Sequence, residues 1–163
     1  GDGTKPEKPC NVCKGEGRVK GHEDIEIVIP AGIDNHQVLE IPGKGDAGKK
    51  GGKAGDLYAR VFIKPHLVFR RKGDDLLMSQ EITYSQAALG DDAEIPLLEG
   101  GAVFLKVPQG TESGKVLKIS NKGVSHFTGY GRGALYVELV VKTPHKLSRK
   151  QKQLLEELKK EGL

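Results

Sequence analysis

One block of this sequence occurs twice, and the repeat constrains the fold more than any other feature. Residues 27–64 align without a gap with residues 105–142, so each position of the first copy has a counterpart 78 residues later. Twelve aligned pairs are identical: one proline, four glycines, two lysines, one tyrosine and four aliphatic residues. A repeat of this length exceeds a solenoid unit and is typical of a small domain in tandem. We therefore predict two similar small domains.

Composition limits what these domains can bury and bind. Apolar residues make up 36% of the chain and aromatic residues 5%, without tryptophan, so each core should consist mainly of Val, Ile and Leu. The formal net charge is +4, but basic blocks interleaved with stacking aromatics are missing, so we expect no nucleic-acid binding. No run of 18 apolar residues occurs, so we expect no membrane span.

Alternating apolar and polar residues predict a mainly β fold. The predicted strands are Ile25–Ile29, Gln37–Ile41, Leu57–Ile63, Leu76–Ile82, Ala102–Val107, Val116–Ile119 and Leu135–Val141. A short helix is predicted over 83–90, with Ser85 as its N-cap and Gly90 as its stop.

The C-terminal end predicts a second helix, Arg149–Lys160, capped by Ser148. Leu154, Leu155 and Leu158 lie on one side of it. These leucines could dock the helix on its own domain or form a face for a second subunit, and the sequence leaves both possibilities open.

Two cysteines, Cys10 and Cys13, lie in a glycine-rich loop. Their C-x-x-C spacing suits one Zn²⁺, but a structural zinc site needs four ligands, and only His22 is near enough in sequence to be weighed as a third. The alternatives are an ordered zinc ion and two reduced thiols in a reducing compartment. A thioredoxin-type redox role is less favoured, because that motif opens a helix after a strand.

Neither the glycine–lysine loop nor the histidines predict an enzyme. The stretch from Gly43 to Lys50 matches part of a phosphate-binding loop, but Lys50 replaces the required Ser or Thr, and Gly51 and Gly52 disfavour the helix that should follow. No nucleophile or carboxylate is placed by a recognisable motif beside His36, His66, His126 or His145. We predict a structural hydrogen bond for His66 and for His145.

Several motifs together resemble one known family. Cys10–Gly17, followed by Val28–Ile33, resembles the last C-x-x-C-x-G-x-G motif of DnaJ-type co-chaperones with a cysteine-rich domain, and Gly1–Gly3 resembles the tail of the preceding motif. Further matches run in order along the whole chain: 55–58, 65–76, 87–90, 121–123 and 148–155.

The resemblance implies a fold and a set of partners. It implies two tandem homologous β-sandwich-like domains with short helices, a C-terminal helix and a partial zinc-finger loop. The expected division is the tail of the zinc region, an incomplete first β-domain with the client groove, the second β-domain and a dimerisation helix, at residues 1–21, 22–73, 74–147 and 148–163. In the family the first domain begins before the zinc region, so its first strands are expected to be absent from this chain and to leave an open edge. The chain lacks an initial Met and the His-Pro-Asp triplet of J-domains, so it is expected to be a piece of a longer cytoplasmic protein, without the J-domain that stimulates a DnaK-type ATPase.

The resemblance also implies a site for unfolded clients. Ile25 and Ala59 match positions of the family's client pocket, where an extended peptide adds a strand. The alternation pattern adds Ile27, although Ile25 and Ile27 could equally be ordinary core residues. Ala59 is smaller than the residue in some relatives, which predicts a wider or different pocket.

The expected function is therefore non-enzymatic. The chain should bind apolar, extended polypeptide segments and present them to a DnaK-type chaperone as a homodimer. The alternative is a structural and dimerisation fragment that does not bind clients by itself. In the family the first and fourth cysteine motifs share one zinc ion, so Cys10 and Cys13 would hold zinc in the full-length protein and at most partially in this chain.

Overall fold

The computed structural model describes residues 10–15 and 17–162 and confirms the mainly β class. The chain forms two compact units, Gly1–Lys64 and Pro65–Leu163. The strands are β1 (Val38–Ile41), β2 (Leu57–Arg60), β3 (Arg70–Lys72), β4 (Asp75–Thr83), β5 (Asp91–Pro96), β6 (Ala102–Val107), β7 (Val116–Ile119) and β8 (Leu135–Lys142). The helices are α1 (Tyr84–Leu89) and α2 (Arg149–Lys160).

The first unit is built on the antiparallel hairpin β1–β2. Its ladder continues past β2, because Val61 donates its N–H to the Gln37 carbonyl at 2.9 Å and accepts the His36 N–H at 2.8 Å. The glycine–lysine loop between the strands is closed at its base by the Gly45 N–H, which donates to the Gly55 carbonyl at 2.8 Å. Within the loop, Lys49–Gly51 makes one 3-10 turn, which ends at an extended Gly52 and does not continue into a helix.

The second unit contains a four-stranded sheet in the order β3-β4-β8-β7 and the separate hairpin β5–β6. Its two central strands, β4 and β8, run parallel over eight residue pairs. Alternate residues of these strands point inward, so their apolar side chains meet those of β5 and β6 in one core. The buried core residues are Phe69, Leu76, Met78, Ile82, Ala87, Ala93, Ile95, Val107, Leu135, Val137 and Leu139.

The repeat seen in the sequence is a repeat of hydrogen-bonded structure. The hairpin β7–β8 pairs Leu117 with Val137, and β1–β2 pairs Leu39 with Ala59, which is the same register 78 residues earlier. Gly123 donates to the Gly133 carbonyl at 2.9 Å, as Gly45 does to Gly55. The identical glycines therefore close equivalent loops in the two units.

Both helices begin at a capping box. Ser148 caps α2 as predicted, with Gln151 completing the box. The predicted cap of α1 was wrong: Thr83, not Ser85, is the N-cap, and the Thr83 Oγ1 accepts the Gln86 N–H at 3.2 Å. The cap lies two residues before Ser85 because β4 ends at a residue, Thr83, whose side chain can itself cap the helix. Among the described residues, no helix is long and apolar enough to cross a membrane.

The leucines of α2 remain exposed. Leu154, Leu155 and Leu158 are 50%, 40% and 40% exposed, and no residue of α2 is buried. The possibility that these leucines dock the helix on its own domain is therefore not what the structure shows. The apolar side of α2 is available for a partner.

His66 holds the segment that leads into the second unit. Its Nδ1 accepts the N–H groups of Val68 and Phe69 at 3.1 and 3.3 Å. Phe69 is thereby directed into the core, where it is 6% exposed. This confirms the structural hydrogen bond predicted for His66.

Sequence patterns missed β3 and β5 and misjudged one strand. β5 begins with Asp91 and Asp92, which are unfavourable in strands, and β3 has only three residues. Ile25–Ile29 has no regular secondary structure, so that predicted strand was wrong. The two compact units meet between residues 64 and 65, whereas the predicted division lies between residues 73 and 74. The strand β3, which lies between these two positions, pairs with β4 and so belongs to the second unit. The fourfold division stays a prediction, and its Gly1–Gly3 motif tail lies outside the described residues.

Candidate functional site

The first unit carries an apolar face that is only half covered. Alternation in β1 and β2 turns Leu39, Ile41, Leu57 and Ala59 to one side, and all four are half-buried. The opposite side of the hairpin carries exposed residues such as Tyr58. The hairpin therefore has one apolar and one exposed side, as a core element does, but its apolar side is not fully buried.

The second unit shows what the same face looks like when it is covered. Leu135, Val137 and Leu139, the counterparts of Leu57, Ala59 and Val61, are each 0% exposed. The side chains of Leu135, Val137 and Leu139 lie in a closed core. Their counterparts in the first unit are only half-buried. The two copies therefore differ in the covering of their second strand, whereas Leu117 and Ile119 of β7 are half-buried like Leu39 and Ile41 of β1.

A missing strand partner accounts for the failure of Ile25–Ile29 to form a strand. Residues 24–29 are the counterparts of β6, which is a strand because β5 pairs with it. The counterparts of β5 are residues 13–18, where Lys14, Gly15 and Gly17 have positive φ angles of 48°, 90° and 75°. Backbone with these angles cannot supply a ladder. Within residues 10–15 and 17–162, nothing pairs with Ile25–Ile29.

The unpaired segment exposes apolar side chains. Val28 is 83% exposed, Ile29 is 60% exposed and Ile27 is 36% exposed, while Ile25 is half-buried. Among the described residues this segment has no ladder partner, and it exposes apolar side chains; an open strand edge and apolar side chains are the two features used in recognition by strand addition.

The predicted pocket residues are related through the repeat. The counterparts of Ile25, Ile27 and Ala59 are Val103, Leu105 and Val137. Val137 is a buried member of the second unit's core, and Val103 and Leu105 pack against that core. Because the three counterparts belong to one core or pack against it, Ile25, Ile27 and Ala59 can also belong together. They could do so in a client pocket or as ordinary core residues. The assignment of Ile25, Ile27 and Ala59 to a client pocket stays a prediction.

The two cysteines lie in a tight turn before this segment. The Lys14 N–H donates to the Cys10 carbonyl at 2.8 Å, and positive φ angles follow at Lys14 and Gly15. Cys10 is exposed and Cys13 is half-buried, and both are free thiols. The pKa of the Cys10 thiol lies below its usual value, chiefly because the Cys13 N–H, and then the Val12 N–H, donate to its sulfur.

The described residues supply only part of a zinc site. In the described ranges, no group of three or more His, Cys, Asp or Glu side chains could hold a metal ion. His22 is exposed and no such group includes it. Two thiols are half of the four donors that structural zinc requires, so these residues alone do not form a complete site.

We expect Cys10 to react faster with iodoacetamide at pH 7 in the folded chain than in the chain unfolded by guanidinium. The lowered pKa gives more thiolate at neutral pH, and the advantage should vanish near about pH 10, where both states are ionised. Alkylation of a Cys13→Ser variant, followed by mass spectrometry, measures this, because serine keeps the backbone N–H. Identical pH midpoints in the folded and unfolded chains would contradict the proposed hydrogen bonds to sulfur.

One polar contact in the second unit was not predicted. The His126 Nδ1 lies 2.6 Å from the Asp74 Oδ2, and the Val124 N–H donates to the Asp74 carbonyl at 2.8 Å. These bonds tie the loop before β8 to the turn before β4. No sequence motif links residues 52 positions apart, so only the fold reveals this contact.

The comparisons with known proteins agree with this architecture. The profile of the family described as DnaJ C terminal domain matches residues 4–144. The chain is 47% identical to the chaperone protein DnaJ of Fusobacterium nucleatum subsp. polymorphum over 156 residues, which cover 96% of this chain and 39% of that relative. It is 42% identical to the chaperone protein DnaJ of Leptospira biflexa over 154 residues, which cover 94% of this chain and 41% of that relative.

The match therefore covers nearly all of this chain and about two fifths of the length of these curated relatives. It includes the duplicated hairpins, the core of the second unit and the unpaired segment beside the cysteine turn. Because the family profile spans far more than half of the sequence, this chain belongs to the DnaJ C terminal domain family.

Proposed function

We propose that this chain is a non-enzymatic, client-binding part of a DnaJ-type co-chaperone. It binds unfolded or apolar extended polypeptide segments and presents them to a DnaK-type ATPase chaperone. The relatives that it matches are named as DnaJ chaperone proteins, which supports this class of function.

The observation that carries the proposal is the unpaired segment Ile25–Ile29. Its counterpart β6 is paired by β5 and contributes to a closed core, whereas this segment has no partner among the described residues. A client strand would supply the missing backbone ladder and cover apolar side chains such as Val28 and Ile29, which water now contacts.

Ile25, Ile27 and Ala59 are the side chains proposed to contact the client. Ile25 and Ala59 are half-buried and Ile27 is 36% exposed, so each retains apolar surface that a client could cover. Binding through main-chain hydrogen bonds and a few apolar contacts suits a chaperone, because it requires little of the client's sequence.

Replacing Ile25 by aspartate should weaken the binding of an extended apolar peptide by about tenfold or more. The change would bring a charge into a half-buried apolar position, and the bound client would remove its remaining water. Fluorescence anisotropy of a labelled peptide titrated with the chain measures the effect.

Val19→Asp is the matched control for this experiment. Val19 is 63% exposed and lies outside the segment, so the same chemical change there should leave the affinity unaltered. Saturable binding by the natural chain that is lost only with Ile25→Asp supports the proposal. An absence of binding by the natural chain would refute it.

A second candidate function is a structural and dimerising role, favoured by the exposed leucines of α2. A stripe of three leucines on a capped helix could pack on the same stripe of a second copy. The two roles are compatible, because dimeric arms would raise the effective concentration of client sites.

Light scattering of chain 1–163 and of a version ending at residue 147 tests dimerisation. We expect a dimer for the first and a monomer for the second, because the leucine stripe is removed with α2. A Leu154→Lys/Leu158→Lys variant should behave like the shortened chain. A monomer in every case would exclude this role.

Zinc binding is proposed only for a complete set of ligands. Cys10 and Cys13 would contribute two thiolates, and further donors would have to come from outside the described residues. When bound, the metal would stabilise the turn and would supply no reaction chemistry.

A further inference from the structure

We infer that a cavity beside Lys122 in the second unit binds a carboxylate, namely the glutamate side chain of a partner polypeptide. The site goes beyond the proposed function, because it lies in the second unit and uses none of the three side chains proposed to contact an apolar client. Its basis is a comparison of one lysine that occurs in both copies of the repeat.

The cavity lies between the β5–β6 turn and the loop that joins β7 to β8. Its volume is about 190 Å³. An engineered cavity of about 150 Å³ can hold benzene, so this one has room for a single side chain. Its lining includes Leu98, Glu99, Gly100, Asn121, Lys122 and Arg132.

Backbone hydrogen bonds hold both walls of the cavity. In the turn, the Leu97 N–H donates to the Gly101 carbonyl at 3.0 Å. In the loop, the Gly123 N–H donates to the Gly133 carbonyl at 2.9 Å. The walls therefore have their shape before a ligand arrives, so binding costs little ordering of the protein.

The charges around the cavity leave one cation without a partner. Arg132 donates to the carboxylate of Glu99, so these two charges neutralise each other and join the two walls. Within residues 10–15 and 17–162, no acidic side chain forms an ion pair with Lys122. With two cations and one anion in its lining, the cavity has one positive charge in excess, which a carboxylate would balance.

The first unit shows what this lysine binds. Lys44, the counterpart of Lys122, binds the Glu23 carboxylate at 2.9 Å. At the same offset of 78 residues, Glu23 falls on Gly101, which has no side chain. A Cβ placed on Gly101 would meet no atom within 4 Å. The space that a glutamate takes in the first unit is therefore open in the second.

A glutamate side chain suits this cavity better than a smaller anion. An exposed ion pair is weak by itself, so the Lys122 ammonium alone would hold a carboxylate poorly. Leu97 and Leu98 also line the cavity, and Leu98 is 45% exposed. The methylene groups of a glutamate would cover apolar surface there while its carboxylate meets Lys122.

Two blocked peptides test the site with the natural chain. One is acetyl-Gly-Ser-Glu-Ser-Gly-amide, and the other has Gln in place of Glu; neither has an apolar side chain that the proposed client site would bind. In nitrogen–proton correlation NMR, we expect the glutamate peptide to shift the amide signals of Gly100, Asn121 and Gly123 saturably. The glutamine peptide should bind about threefold to fivefold more weakly, and about 0.5 M salt should remove most of this difference.

Lys122→Gln and its matched control Lys44→Gln test the lysine. Lys122→Gln should reduce the affinity for the glutamate peptide to that for the glutamine peptide. Lys44→Gln should leave the affinity unaltered, because Lys44 already binds Glu23. Both lysines are exposed, so both variants should fold, which circular dichroism checks. An unchanged affinity in Lys122→Gln would refute the site.

Acetate tests whether the ligand is a polypeptide side chain. It has the carboxylate without the methylene groups, so it should bind at least about threefold more weakly than the glutamate peptide. Equal affinity for acetate would exclude the polypeptide as the source of the carboxylate. If neither peptide nor acetate shifted these amides saturably, the inference would fail. Neither failure would affect client binding, which the apolar peptide and Ile25→Asp test separately.

Discussion

Replacing Leu135 by alanine is expected to lower the free energy of unfolding of the second unit by about 3–5 kcal/mol. Leu135 is 0% exposed and lies on β8, between Leu76 of β4 and Ile119 of β7. Three strands meet there, so the neighbouring backbone cannot collapse into the space left by the side chain. The loss therefore combines lost burial with the cost of a cavity.

Leu57→Ala is the matched control, because Leu57 is the counterpart of Leu135 in the first unit. Leu57 is only half-buried, so we expect a loss of about 1 kcal/mol. Urea unfolding followed by far-ultraviolet circular dichroism measures both variants, and hydrogen exchange identifies which unit opens. Equal losses would contradict the difference in covering between the two hairpins.

Gly133→Ala is expected to destabilise the second unit by about 3 kcal/mol or more. A Cβ at this position would overlap the carbonyl oxygen of Asp74 and lie 2.5 Å from its carbonyl carbon. Both atoms belong to backbone, which cannot rotate away as a flexible side chain does. Relief would require the turn before β4 to move, which would strain the 2.7 Å bond from the Ala134 N–H to the Asp75 Oδ1.

Gly55→Ala, at the counterpart position, should be tolerated. Its Cβ would meet only the Asp46 carbonyl oxygen, at an ordinary 3.9 Å. The change should raise the free energy of unfolding by about 0.4–1 kcal/mol, since alanine has fewer unfolded conformations than glycine. Thermal unfolding of the two variants separates these outcomes, and a stable Gly133→Ala chain would show that the close approach at Asp74 is not required.

Local patterns were enough to predict the elements that depend on neighbours in sequence. The repeat predicted two similar domains, and the structure gives their hairpins one register. Ser148 caps the helix α2 as predicted, because a capping box lies within four consecutive residues. The half-buried faces of β1 and β2 follow the alternation in the sequence.

Elements that depend on distant partners were not predictable in the same way. β5 begins with two aspartates and forms a strand because β6 pairs with it over six residues. Ile25–Ile29 has better strand character, but none of the described residues pairs with it, and the residues aligned with β5 include Lys14 and Gly15 at positive φ.

The duplicated hairpin, the cap of α2 and the family to which the chain belongs can all be identified from the amino-acid sequence alone. The fold is needed to see that Leu135, Val137 and Leu139 of β8 are fully covered, whereas Leu57, Ala59 and Val61 are only half-buried. The alternation of apolar and polar residues shows which side of a strand is apolar. It does not show whether another segment forms backbone hydrogen bonds with that strand or covers its apolar side chains. That depends on pairing between distant residues, and the segment left unpaired is the one to which we assign the client.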